Sequence, residues 1–185
     1  MSSMLPGDSW PKFKIFVDMD GVLTDFNRAV TAIGGEAGLG PNVTPIQQLD
    51  MYKKIDNAGV KFWSEMPWKE DGPRLWKLIE PYRPILLSSP GQFIHAVEGK
   101  TQWVSRNLPG TPLFFSEHKY EYAEPYEDTV LIDDMQKNII PWQQAGGIGI
   151  LHTSVEDTER QLLGLIYDTA SEKAHGFSRG SSHRS

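Results

Sequence analysis

KFKIFVDMDGVLTDF, residues 12–26, is an apolar run that stops at two carboxylates, Asp18 and Asp20, one residue apart. It alternates and then turns continuously apolar, which fits a buried strand at about Phe13 to Asp18 that delivers its carboxylates to a site. Gly21 lets the chain turn sharply behind them. The pattern returns at residues 128–134, DTVLIDD, where a second apolar run enters the paired aspartates Asp133 and Asp134. Between the two lie RPILLSS at 83–89 and TPLFFS at 111–116, two further short strands, with a helix expected over GKTQWVSRNL. A helix from Met135 to Ala145, a strand from Gly147 to Leu151 and a helix from Val155 to Tyr167 continue the rhythm. Thr153 and Glu156 have the spacing of a capping box for the last helix. Strands alternating with helices predict an α/β fold, a three-layer Rossmann-like parallel sheet with helices on both faces.

Residues 27–81 break the rhythm. Short helical stretches around Arg28 to Ala37, Ile46 to Ile55 and Gly72 to Glu80 are separated by Gly and Pro, with Phe62, Trp63, Trp68 and Trp76 among them. This predicts a small helical cap inserted after the first strand, with residues 1–26 and 82–170 forming the catalytic core. The aromatic residues are expected to be the cap's own small core. Residues 171–185 are polar and aperiodic and read as a mobile tail.

The 185 residues carry no cysteine, so a metal here must take oxygen or histidine ligands. A net charge of −6 disfavours a broad nucleic-acid surface and leaves a small phosphorylated metabolite compatible. No apolar run approaches the roughly 20 residues that span a bilayer, and no secretory leader is evident, so a cytoplasmic setting is expected.

In open parallel sheets, catalytic groups gather at the carboxyl ends of the strands. Those ends hold Asp18, Asp20, Ser88, Asp133 and Asp134. Two like charges about 4 Å apart repel by about 4 kcal/mol at an effective dielectric near 20, so four carboxylates require a compensating cation. Oxygen ligands and a phosphate to share make Mg²⁺ the natural choice, with Asp18, Asp20, Asp133 and Asp134 as its expected ligands. Asp18 is the expected nucleophile on phosphorus, and Asp20 the acid that protonates the departing oxygen and then the base that activates water. Ser88 is expected to donate to a phosphoryl oxygen, and Lys119 to neutralise charge as it develops.

DMDGVLTDF, ILLSSP ending its strand at Ser88, Lys119, and LIDD ending at Asp133 and Asp134 resemble the four ordered motifs of the haloacid dehalogenase (HAD) superfamily, over about residues 13–151. More narrowly, the SSP, the GKTQWV helix, the LIDD ending and the DF after the first motif resemble 5'(3')-deoxyribonucleotidases and related small bacterial or phage enzymes. That resemblance implies a Mg²⁺-dependent phosphatase working through an aspartyl-phosphate on nucleoside 5'-monophosphates, with Phe26 in a base pocket and Ser89 also touching phosphate. It also implies a homodimer. Trp63 is a second candidate for the base, since stacking on an aromatic is worth about 1 to 3 kcal/mol. The middle motif carries Ser88 where the family usually shows Thr, so base preference does not transfer.

Plainer readings exist for each position. An isolated Asp-x-Asp is commonly a surface turn, Asp133 or Asp134 could merely cap the helix that follows, and Lys119 could be solvated. Asp25 reads as structural, and His95, His118 and His152 lack metal-ligand spacing. Competing activities are hydrolysis of another small phosphorylated metabolite or of a nucleic-acid 3'-phosphate end, and a non-catalytic binding module. A kinase reading of EGKT at residues 98–101 fails, because a P-loop needs glycine where Ile94 stands.

Overall fold

A computed structural model describes residues 13–35, 43–124 and 129–176, the last nine of these by backbone alone. Strand β1 (Lys14–Val17) is the middle of a five-stranded sheet, flanked by β2 (Ile85–Ser88) and β3 (Leu113–Phe115) on one side and β4 (Thr129–Asp133) and β5 (Ile148–Leu151) on the other. All four pairings are parallel. Val17 is level with Leu86 and with Ile132, so the three central strands end together and the residues just beyond them meet.

Successive strand side chains point to opposite faces. Ile15, Val17, Leu86, Val130, Ile132 and Ile150 belong to one apolar cluster. Phe16, Leu87 and Leu131 belong to the other, against Ile139 and Trp142 of helix α6 (Gln136–Gln144). Edge-to-face contacts of Phe16 with Trp142 at 5.4 Å and Tyr122 at 5.8 Å close that thinner layer. Helices on both faces of a parallel sheet make the expected three layers. Helices α4 (Gly72–Ile79), α5 (Ala96–Asn107) and α7 (Val155–Gly176) cover the larger cluster.

Helix α7 runs past Tyr167 to Gly176, so the polar stretch from Ser171 begins as helix rather than as tail. Ser171, Glu172, Lys173 and Ala174 include no residue that breaks a helix. Residues 177–185 lie outside the described residues. The cap of α7 sits one residue later than expected: Asp157 N donates to Ser154 Oγ at 3.2 Å, and Thr153 is bonded instead to the Asp157 side chain.

The insertion holds α1 (Phe26–Ala32), α2 (Pro45–Ala58) and α3 (Val60–Ser64) before α4. Asp25 caps α1 by accepting from Arg28 N at 2.9 Å. Thr44 and Gln47 form a full capping box on α2. The insertion returns to its starting point, where Asp25 N bonds Pro67 O and Lys69 N bonds Leu23 O.

Its aromatic residues do not form a separate core. Met51, Ile55, Phe62, Trp63 and Met66 share one cluster with Ile15, Val17 and Leu86 of the sheet. Trp68 packs on Trp103 of α5 with ring centroids 4.7 Å apart, and Trp103 Nε1 donates to Met66 O at 2.8 Å. Gly99 makes the α3–α5 contact possible, because a Cβ there would lie 2.4 Å from Trp63 Cβ and 2.7 Å from Val60 O. Gly99→Ala must push the helices apart, an overpacking that costs about 1–3 kcal/mol. Urea denaturation should show the midpoint falling accordingly, and an unchanged midpoint would mean that α3 and α5 are not in this close contact.

Candidate active site

Asp18 follows the last residue of β1, and its backbone N–H donates to Ile132 O of β4 at 2.9 Å. That bond fixes the carboxylate above the strand ends at the point where the sheet order reverses, the usual crevice for ligands in such sheets. Asp133 ends β4, and Asp134 follows it. Carboxylate oxygens of Asp18, Asp133 and Asp134 come within 4.8 Å of one another. Gly21 permits this approach: its φ is +85°, and a Cβ would lie 2.3 Å from Asp134 Oδ2.

Lys119, on a short 3-10 turn after β3, is buried between two of the three. Its ammonium lies 2.7 Å from Asp18 Oδ1 and 2.6 Å from Asp133 Oδ2. Burial pushes the Asp18 carboxyl up to about 7; Lys119 opposes the rise, and the Asp133 and Asp20 charges add to it. Burial works against the Lys119 charge, but Asp18 and Asp133 outweigh it and hold the ammonium above its ordinary range. Partial desolvation of its carboxyl group, then the neighbouring Asp133 charge, raises Asp134 as well, although the residue as a whole is exposed. Three carboxylates share one ammonium here, and a divalent cation would remove that deficit of positive charge.

The two adjacent aspartates have different surroundings. Asp133 is fully buried and accepts from Lys119, from Met135 N at 2.8 Å and, with both carboxylate oxygens, from Asn138 Nδ2. Asp134 is exposed and has no ion-pair partner among the described residues.

Asp20 lies apart from the three-carboxylate group. Its Oδ2 pairs with Lys100 at 2.6 Å, and its Oδ1 accepts from Thr24 Oγ1 at 3.1 Å. The carboxylate thus faces a lysine rather than the prospective cation site, which differs from its expected place among the metal ligands. Part of the positive charge that the carboxylates demand is supplied by Lys100 and Lys119 themselves. Ser88 is fully buried and accepts from Lys100 at 2.8 Å, while Ser89 reaches the cavity and donates to Ser116 O at 3.0 Å.

A cavity of about 1080 Å³ opens over these groups. Asp18, Asp20, Ser89, Lys119 and Asp134 line its polar end. Phe26, Tyr52, Trp63 and Phe93 line another part, in a run of ring contacts: Phe26 to Trp63 at 6.0 Å, Trp63 to Phe93 at 5.1 Å and Phe93 to Tyr52 at 5.3 Å. Phe26 and Trp63, the two candidates for contact with a base, both line this cavity.

The fold is shared with a bacterial hydrolase. That protein, a hydrolase from Streptococcus pneumoniae TIGR4, superposes with a TM-score of 0.56 at 16% identity, over 84% of this chain and 100% of its own. A HAD family enzyme from Bacteroides thetaiotaomicron, solved as a magnesium complex, matches with a TM-score of 0.43 at 18% identity, over 77% of this chain and 94% of that one. A hydrolase from Pseudomonas syringae gives 0.41 at 11% identity, over 80% and 89%. No family model and no curated protein matches the chain.

Three residues of the site escaped sequence reasoning. Tyr52 and Phe93 carried no motif. Lys100 had one usable signal: it falls among Ala96, Gly99, Trp103 and Val104, the buried face of α5, where a lysine is out of place unless paired. Among the described residues no helix is long and apolar enough to cross a membrane.

Proposed function

We propose that this chain is a Mg²⁺-dependent phosphomonoester hydrolase of the HAD superfamily, acting on nucleoside monophosphates, with deoxyribonucleotides the leading class. The observation that carries the reading is one cavity with Asp18, Lys119 and Asp134 at its polar end and a run of aromatic rings along its wall. A phosphate ester fits the first, and a nucleobase fits the second.

Asp18 and Asp134 would hold the Mg²⁺, with Asp133, its oxygens already engaged, keeping Lys119 in place. Bound there, the ion supplies Lewis-acid stabilisation of the phosphoryl oxygens and keeps Asp18 ionised. Asp18 attacks phosphorus, forming an O–P bond as the ester P–O bond breaks, and Asp20 gives its proton to the departing oxygen. Asp20 then takes a proton from water, whose oxygen attacks the same phosphorus and frees Asp18. Lys119 offsets charge on Asp18 and on the transferring group throughout. The Ser89 hydroxyl lies on the phosphate-binding side, whereas Ser88, expected there as well, is buried behind Lys100 and does not line the cavity.

Phosphate release across a panel of nucleoside monophosphates and sugar phosphates tests the assignment. Nucleotides should be the best substrates, and a sugar phosphate turned over as efficiently as any nucleotide would move the substrate class elsewhere. Phe26→Ala should raise KM for a nucleotide by roughly 10-fold, the equivalent of about 1.4 kcal/mol of lost stacking. The same variant should leave KM for ribose 5-phosphate nearly unchanged.

A further inference from the structure

Lys100 is fully buried in α5, and each of its three N–H donors has an acceptor: Asp20 Oδ2 at 2.6 Å, Ser88 Oγ at 2.8 Å and Ser89 O at 2.9 Å. Its ammonium also stands 5.0 Å from the centre of the Trp63 ring. A lysine is rarely buried so completely, and a well-packed apolar residue commonly serves stability as well as a buried ion pair does. Its partners are therefore informative: one ammonium joins the loop after β1, the end of β2 and the aromatic wall.

Asp20 reaches the cavity, whereas Lys100 does not line it. Thr24 holds one oxygen of Asp20 from within its own loop, and Lys100 holds the other from a different element. The carboxyl group is thereby fixed relative to the strand that carries Ser88 and Ser89. We propose that Lys100 is the positioning residue of the proton-transfer step, holding Asp20 at the leaving-group oxygen without touching the substrate itself. Gly99 makes this reach possible, since α5 can press against Trp63 only where no Cβ intervenes. The inference rests on the phosphatase reading given above and assigns a role within the same site.

Proton donation matters when a nucleoside alkoxide leaves and hardly matters when nitrophenolate, a weak base, leaves. Steady-state kinetics with Mg²⁺ on a nucleoside monophosphate and on 4-nitrophenyl phosphate should therefore separate positioning from general structural support. In Lys100→Met, kcat/KM, which reads phosphoryl transfer to Asp18, should fall about 100-fold for the nucleotide and by less than about tenfold for 4-nitrophenyl phosphate, while kcat falls with both because Asp20 also activates the water. Lys100→Arg, which keeps the charge, should recover part of the nucleotide rate. Adding Lys100→Met to Asp20→Asn should cost little more, because the lysine acts through that carboxyl group. Equal losses of kcat/KM on both substrates, a full further loss in the Asp20→Asn background, or failure of both lysine variants to fold would overturn the proposal. If the wild type released phosphate from neither substrate, the phosphatase reading would fall first, a result distinct from a uniform loss in an active enzyme.

Discussion

Asp18→Asn should lower phosphate release by about a thousandfold or more while raising the melting temperature of the metal-free protein at pH 8. The first effect follows from the chemistry, since the amide is not a nucleophile toward phosphorus and the other groups cannot replace a covalent step. The second follows from the electrostatics. Burial holds the Asp18 carboxyl near 7, above the unfolded value of 3.8. A group raised in this way contributes stability below the unfolded value and loses that contribution as pH climbs through the folded one. At pH 8 the wild type therefore carries the cost of an ionised Asp18 beside Asp133, and the asparagine variant does not. The difference in melting temperature should shrink toward pH 4, where both side chains are neutral, and with saturating Mg²⁺, which binds the ionised wild type. Thermal melts at pH 4, 6 and 8 check the sign. Retained turnover in a well-folded variant would end the assignment of Asp18 as nucleophile.

Lys119→Met should be the most destabilising of the substitutions considered, by about 3–5 kcal/mol at pH 8. Lys119 is the ion-pair partner of both Asp18 and Asp133, and its side chain is 1% exposed against 10% and 0% for theirs. Without it two carboxylates face each other out of water, and Asp133 is left with only the Met135 amide and the Asn138 side chain as donors. The cost should be lower at pH 5, because Asp18 is already held near 7 and protonation removes one of the two charges. Mg²⁺ should restore part of the stability but little of the turnover, which is expected to fall by about 100- to 1000-fold as the charge facing the transferring group is lost. Denaturant titrations at pH 5 and pH 8, with and without Mg²⁺, separate these effects. A variant as stable as the wild type at pH 8 would show that the lysine does not neutralise this pair.

The core of the site was legible because its signals are local. A strand that buries both faces has to be continuously apolar, so IFV at 15–17 and VLI at 130–132 declare themselves, and the aspartates that stop them mark the strand ends. The parallel sheet then places those ends together, and Asp18, Asp133 and Asp134 do meet within 4.8 Å. Phe26 was singled out by the resemblance to the deoxyribonucleotidases rather than by a local period, and it lines the same cavity as Asp20.

Side-chain direction was not legible. Asp18 and Asp20 look equivalent in DMD, yet one faces Lys119 and the other Lys100, because Asp20 lies in the turn after β1, where Thr24 holds its second oxygen. Ser88 and Ser89 are neighbours with opposite fates, one sealed behind Lys100 and the other on the cavity wall. The insertion, read as a body with its own aromatic core, proved continuous with the larger layer, because Gly99 allows α3 and α5 to touch. The chain by itself therefore determined the order of strands and helices and the acidic strand ends, through hydrophobic periods that span a few residues. Only the tertiary structure decided which cation faces which carboxylate, since that depends on close approach between helices and loops up to 101 residues apart in sequence, and no local pattern encodes such distances.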